Sequence, residues 1–212
     1  MNEKMIDYEC VMRKLLELHP GLNPVSIMAD FEKASINACQ TIFPGDRLAG
    51  CFFHLGQCLW HTVQDCSLAE VYRDGENVRI NVKMLLALSF VPVADVPSAF
   101  DELVEISTPE LVPINDYWED TYVGKHRRNR RGIPMFPIEL WNMHERVNEG
   151  LPRTNNSVEA WHHSFQQTVD CNNPAVFKLI QHFRKEQDQV EIKMERYRAG
   201  FRQPEASKSK CN

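Results

Sequence analysis

Two carboxylates and a thiol–imidazole pair stand where their side chains can act together. Asp30 ends the apolar run Val25-Ser26-Ile27-Met28-Ala29, which reads as a short buried strand. In parallel α/β folds, ligand-binding groups gather at the carboxyl ends of strands. Glu159 falls in the first turn of a helix predicted from about Asn155, and a carboxylate there can reach a strand-end acid across a cleft. Two acids so placed are the raw material of a cation site. Each also has a structural reading, Asp30 as the N-cap of the helix that follows and Asn156 with Glu159 as a capping box. Cys51 and His54 form a C-x-x-H pair. Zinc needs four ligands, so the pair is at most a half-site, with His162 and His163 as available completions. Otherwise they are a buried thiol and a hydrogen-bonded imidazole at a strand-to-helix junction. Arg153, Asn155 and Asn156 precede Glu159 and can hold a phosphate, orient the carboxylate, or simply form a turn.

The elements that must position these residues follow from periodicity. Met5 to Leu18 reads as an amphipathic helix with Met5, Tyr8, Val11, Met12, Leu15 and Leu16 on one face. His19-Pro20-Gly21 breaks it. A strand over Val25–Ala29, a helix over Lys33–Ile42, a strand over Arg47–Phe53 and a helix over Leu55–Gln64 follow, a parallel α/β unit with right-handed crossovers. Residues 70–150 read as an all-helical insertion. It has a stripe over Val78–Phe90, a helix opened by Asp95 through Ile106, a helix over Pro113–Tyr122, and a closing loop with Gly132, Pro134 and Pro137. Pro174 opens a long helix over Ala175–Arg198. The expected division is 1–66 first core part, 67–150 helical insertion with a basic loop, 151–200 C-terminal core helices, and 201–212 a disordered tail.

Composition narrows the function classes. Hydrophobic residues are 43% and charged residues 25% of the 212, as expected of a soluble globular chain. No apolar run is long enough to span a membrane. The N-terminus lacks a signal core, which predicts a nuclear or cytoplasmic rather than secreted protein. Seven cysteines with no C-x-x-C pair read as reduced thiols. The net charge of −5 is uneven. Residues 1–106 hold 8 Lys/Arg against 15 Asp/Glu, and residues 107–212 hold 16 against 14. Lys125-His126-Arg127-Arg128-Asn129-Arg130-Arg131 concentrates the basic excess. Such a run contacts phosphates, serves as a nuclear import signal, or is only a solvated loop.

Taken in order, Asp30-Phe31-Glu32, Gly50-Cys51-Phe52-Phe53-His54 and Arg153-Thr154-Asn155-Asn156-Ser157-Val158-Glu159-Ala160-Trp161-His162 resemble the Mutator-like element (MULE) transposase domain. Phe90-Val91-Pro92, Tyr122-Val123-Gly124 and Leu140-Trp141-Asn142 add to the resemblance, which runs from about residue 5 to 190. It implies a helix-rich α/β chain: a partial ribonuclease H-like fold with few parallel strands and a large helical insertion. It also implies DNA cleavage and strand transfer with two Mg²⁺ or Mn²⁺ ions. Asp30 would be the second catalytic acid, Glu159 the third, and Cys51 and His54 the C/D-x-x-H signature. DNA is the implied partner, contacted by Lys125, Arg127, Arg128, Arg130, Arg131 and Arg153, with homo-oligomerisation compatible.

The first acid of that pattern belongs on upstream strands, and nothing before Asp30 reads as such strands. Asp7 lies in a helical pattern. The chain is therefore expected to be an N-terminally truncated form, weak in metal binding and inactive alone. Two other readings stand beside this one. One is a non-catalytic DNA-binding or regulatory protein of transposase descent, and the other is a helical protein-interaction module.

Overall fold

The computed structural model describes residues 3–127, 130–169 and 174–201. They divide into two compact units, residues 1–155 and residues 156–212.

The first unit opens with α1 (Glu3–Leu18), β1 (Ser26–Ala29), α2 (Lys33–Ile42), β2 (Arg47–Gly50) and α3 (Phe52–Asp65). The two strands pair in parallel, with Ser26 opposite Arg47 and Ala29 opposite Gly50. This is the alternating α/β pattern read from the sequence. The second strand is shorter than expected, stopping at Gly50 instead of Phe53. The apolar run continues, but Cys51 is already the N-cap of α3, and the Leu55 amide bonds the Cys51 carbonyl at 3.0 Å. Phe52, Leu55, Leu59 and Val63 therefore obey the helical period. In α1, Met5, Tyr8, Met12 and Leu16 are half-buried, whereas Val11 and Leu15 of the expected apolar face are exposed.

The middle of the unit is helical, as its apolar stripes predict. It comprises α4 (Ala69–Asp74), α5 (Glu76–Ala87), α6 (Val96–Ile106) and α7 (Val112–Trp118), the last continuing as a π-turn over Glu119–Val123. Prolines at the openings of α6 and α7 sit where a missing N–H costs nothing. The expected closing loop contains a short antiparallel hairpin, β3 (His126–Arg127) with β4 (Arg130–Arg131). Gly124, at φ +93°, makes the turn into it, and the Gly132 amide closes the ladder on the Lys125 carbonyl at 2.8 Å. Short helices α8 (Ile138–Trp141) and α9 (His144–Asn148) complete the unit.

One apolar core joins both parts. Ile36, Leu55, Leu59 and Val63 from the α/β part pack in the same cluster as Leu85, Phe100, Ile114, Trp118, Tyr122 and Trp141. Trp118, Tyr122 and Trp141 are fully buried, and the Trp141 indole N–H donates to the Tyr122 carbonyl at 3.0 Å. The second unit is a pair of helices, α10 (Asn156–Val169) and α11 (Val176–Arg198). Trp161 stacks on Phe165 at 5.3 Å, Phe165 stacks on Phe183 at 4.8 Å, and the Trp161 indole donates to Glu186 at 3.0 Å. The expected tail lies, from residue 202, outside the described residues.

Two expectations follow. A Cβ on Gly50 would meet the Phe31 ring at 2.5 Å, and that ring is held against Tyr122 and Phe136. Gly50→Ala should cost about 1–3 kcal/mol in denaturant unfolding through overpacking. Burial also pushes the Tyr122 hydroxyl well above its ordinary value of 10.0. The unfolded chain then loses this proton at lower pH than the folded one, so stability must fall as pH rises past about 10. Tyr122→Phe should make that fall shallower by about 1.4 kcal/mol per pH unit, read from unfolding curves at alkaline pH.

Candidate active site around Asp30

Asp30 is the first residue beyond β1, and its side chain is 54% exposed. It is not a helix cap, because Glu32 occupies the N-cap position of α2. The separation follows from Phe31. Its ring turns into the unit, edge-on to Phe136 at 5.2 Å and to Tyr122 at 5.8 Å. Glu32 is held by α1, accepting from the Tyr8 hydroxyl at 2.6 Å with Lys4 at 3.7 Å. The same carboxylate raises the Tyr8 pKa, chiefly through this hydrogen bond.

Three sequence motifs meet at Asp30. His54, in the first turn of α3, places Nδ1 2.8 Å from Asp30 Oδ1. Asn155 donates from Nδ2 to the same oxygen at 3.4 Å and accepts at Oδ1 from the Cys51 thiol at 3.1 Å. Cys51 is fully buried, and its amide bonds the Ala29 carbonyl at 2.9 Å. The thiol and the imidazole of the C-x-x-H pair therefore serve different partners, Asn155 and Asp30. Among the described residues, no cluster of three or more His, Cys, Asp or Glu side chains is placed to hold a metal ion. The Asp30 carboxylate fits a hard cation as a single oxygen ligand. Its Oδ1 accepts from Asn155, as ligating carboxylates accept from outer-shell partners.

What brings Asn155 here is a residue that belongs to none of the motifs. Arg146, on α9, is 6% exposed. It donates from Nε and Nη2 to the Pro152 carbonyl, at 3.0 and 2.8 Å, and from Nη1 to Ser26 Oγ at 3.0 Å. One guanidinium thus ties the start of β1 to the segment leading into Asn155. The Phe52 amide adds a bond to the Arg153 carbonyl at 2.9 Å. Burial lowers the Arg146 pKa. No local pattern signals this role, since Ser26 lies 120 residues away in sequence. The Arg153 side chain is exposed, and only its backbone serves the junction.

Glu159 occupies the first turn of α10 in the second unit, as its position after Asn156 predicts, and is partly buried. His162 lies against Trp161 at 5.1 Å, and His163 contacts Gln167 at 3.0 Å.

The basic run is divided in its roles. The Arg131 side chain is 13% exposed and pairs with Asp101 and with Glu119. It donates to the Gly124 carbonyl at 2.7 Å and lies over the Phe100 ring at 5.6 Å. Lys125 pairs with Asp120 at 3.3 Å. Arg127 and Arg130 are exposed, with no acidic partner within 4.0 Å among the described residues. Arg128 lies outside the described residues.

Residues 1–64 match the family model of the MULE transposase domain. That match includes Asp30, Cys51 and His54 and stops short of Asn155 and Glu159. Comparison with curated proteins and with solved structures found no match.

Arg146→Lys should remove at least one of the bonds to Pro152, at a cost of about 1–3 kcal/mol in unfolding free energy. It should also loosen Asn155 from Cys51. Maleimide labelling read by peptide mass should then reach Cys51 faster than in the parent protein, while labelling of exposed Cys10 stays unchanged.

Proposed function

We propose that this chain, whose residues 1–64 match the family model of the MULE transposase domain, is a transposase-derived, DNA-directed domain. In this reading Asp30 and Glu159 are carboxylates of a metal-dependent phosphoryl-transfer centre. The observation that carries the reading is the meeting of Asp30, His54 and Asn155, from three separate motifs, on one carboxylate oxygen. When bound, Mg²⁺ or Mn²⁺ supplies charge neutralisation and activation of an attacking hydroxyl.

This chain's own residues do the remaining work. Asp30 offers a half-exposed carboxylate at the end of β1. Asn155 donates to its Oδ1, and His54 Nδ1 stands 2.8 Å from the same oxygen. Buried Arg146 holds the Asn155 segment in place. In this reading the two carboxylates leave most positions around a divalent ion to water, which makes for weak metal binding.

A non-catalytic DNA-binding role is the second reading, favoured by exposed Arg127 and Arg130 beside the paired Arg131. Titration calorimetry with Mn²⁺ on the full chain separates the two. Weak binding that disappears in both Asp30→Ala and Glu159→Ala, each shown by circular dichroism to be folded, supports a shared metal centre. Undiminished binding in Asp30→Ala, or none in the folded parent, removes the metal reading and leaves the second.

A further inference from the structure

The segment after the basic hairpin holds an apolar side chain out in water with unusual firmness. Ile133 is 98% exposed and Met135 is 56% exposed. Single exposed apolar residues are ordinary on a protein surface; the setting of Ile133 is not. Its segment is pinned at both ends. Upstream, Gly132 bonds Lys125, and Arg131 is locked by Asp101, Glu119 and the Gly124 carbonyl. Downstream, the Phe136 amide bonds the Thr121 carbonyl at 2.9 Å, Lys33 Nζ donates to the Met135 carbonyl at 2.8 Å, and the Phe136 ring is buried. Pro134 restricts Ile133 to extended backbone. The chain therefore presents Ile133 with little conformational entropy left to lose.

Its neighbours are cationic. Arg127 and Arg130 of the adjoining hairpin are exposed and lack acidic partners among the described residues, while Arg131 serves as the anchor. Unpaired arginines beside a rigid apolar tip complement a polyanion that has an apolar interior, which is duplex DNA. Phosphates take the guanidiniums, and exposed Ile or Met side chains are the kind that enter between base steps and kink a duplex. The segment is also anchored in the first unit's core, since the buried Phe136 ring packs on Phe31 at 5.2 Å.

We propose that Arg127, Arg130 and the segment 131–135 form a DNA-deforming contact, with Arg127 and Arg130 on phosphates and Ile133 as a wedge between base steps. The proposal rests on the DNA-directed reading above and adds to it the element that grips and bends.

The test uses the full chain and a short labelled duplex carrying aminopurine as a stacking probe, with affinity followed against salt. The parent should bind more weakly as salt rises and should brighten the probe by unstacking it. The double variant Arg127→Ala, Arg130→Ala should lower the magnitude of the log-affinity against log-salt slope by about two and weaken binding about tenfold at moderate salt. Ile133→Ala, at a position too exposed to affect folding, should keep the parent's salt slope and lose the brightening. If the parent binds and both variants match it in slope and signal, this proposal fails while the DNA-directed reading survives. If only Ile133→Ala matches the parent, the wedge is overturned. No salt-dependent binding by the folded parent overturns both.

Discussion

The seating of the Phe31 ring governs the site. Gly50 leaves room for that ring where any side chain would collide with it, and Tyr122 and Phe136 close around it. Because Phe31 is drawn inward, Asp30 and Glu32 on either side are left to other partners. Asp30 stays half-exposed at the end of β1, and Glu32 is captured by Tyr8 and Lys4. The next residue, Lys33, reaches the Met135 carbonyl. One aromatic contact thus sets the carboxylate, ties α1 to the start of α2 and fixes the strap beside the basic hairpin. Packing of this kind is bistable rather than elastic, so these features are held together or lost together.

A second constraint comes from Arg146. A buried guanidinium is expensive to desolvate, and its bonds are to neutral acceptors, the Pro152 carbonyl and Ser26 Oγ. Arg47 nearby lowers its pKa further and Glu149 partly offsets that. An apolar residue would be the more economical filling if stability alone were at issue. The arginine does what an apolar residue cannot: its planar fork bonds two chain segments at fixed angles. The result is that Asn155 reaches both Cys51 and Asp30.

Much of the first unit was legible in the sequence because its signals are local. Periodicity placed α2 at its observed bounds and β1 within one residue of them, and proline marked the openings of α6 and α7. The resemblance picked out Asp30, Cys51, His54 and Asn155, which the fold brings into one network. What escaped was non-local or hidden by composition. The apolar run through Phe53 concealed the switch from strand to helix at Cys51. Arg146 carries no local signal, because its acceptors are set by tertiary packing. The run 125–131 read as uniformly basic, yet acids from α6 and the π-turn take up Arg131. Those acids lie 30 and 12 residues away in sequence, beyond the reach of any local charge pattern.

That last point bears on the proposed DNA contact in a chain of net charge −5. Charges farther apart than about 10 Å are largely screened at moderate salt, so the sum over the molecule matters less than the sign at the surface that makes contact. Asp101 of α6 and Glu119 of the π-turn hold Arg131 with most of its side chain out of water. The exposed cations lie on the hairpin itself. Pairing Arg131 gives the hairpin a fixed attachment. A run with every arginine free would carry more charge and less shape. Here Arg131 is committed to structure, while Arg127 and Arg130 stay exposed on the hairpin that leads to Ile133.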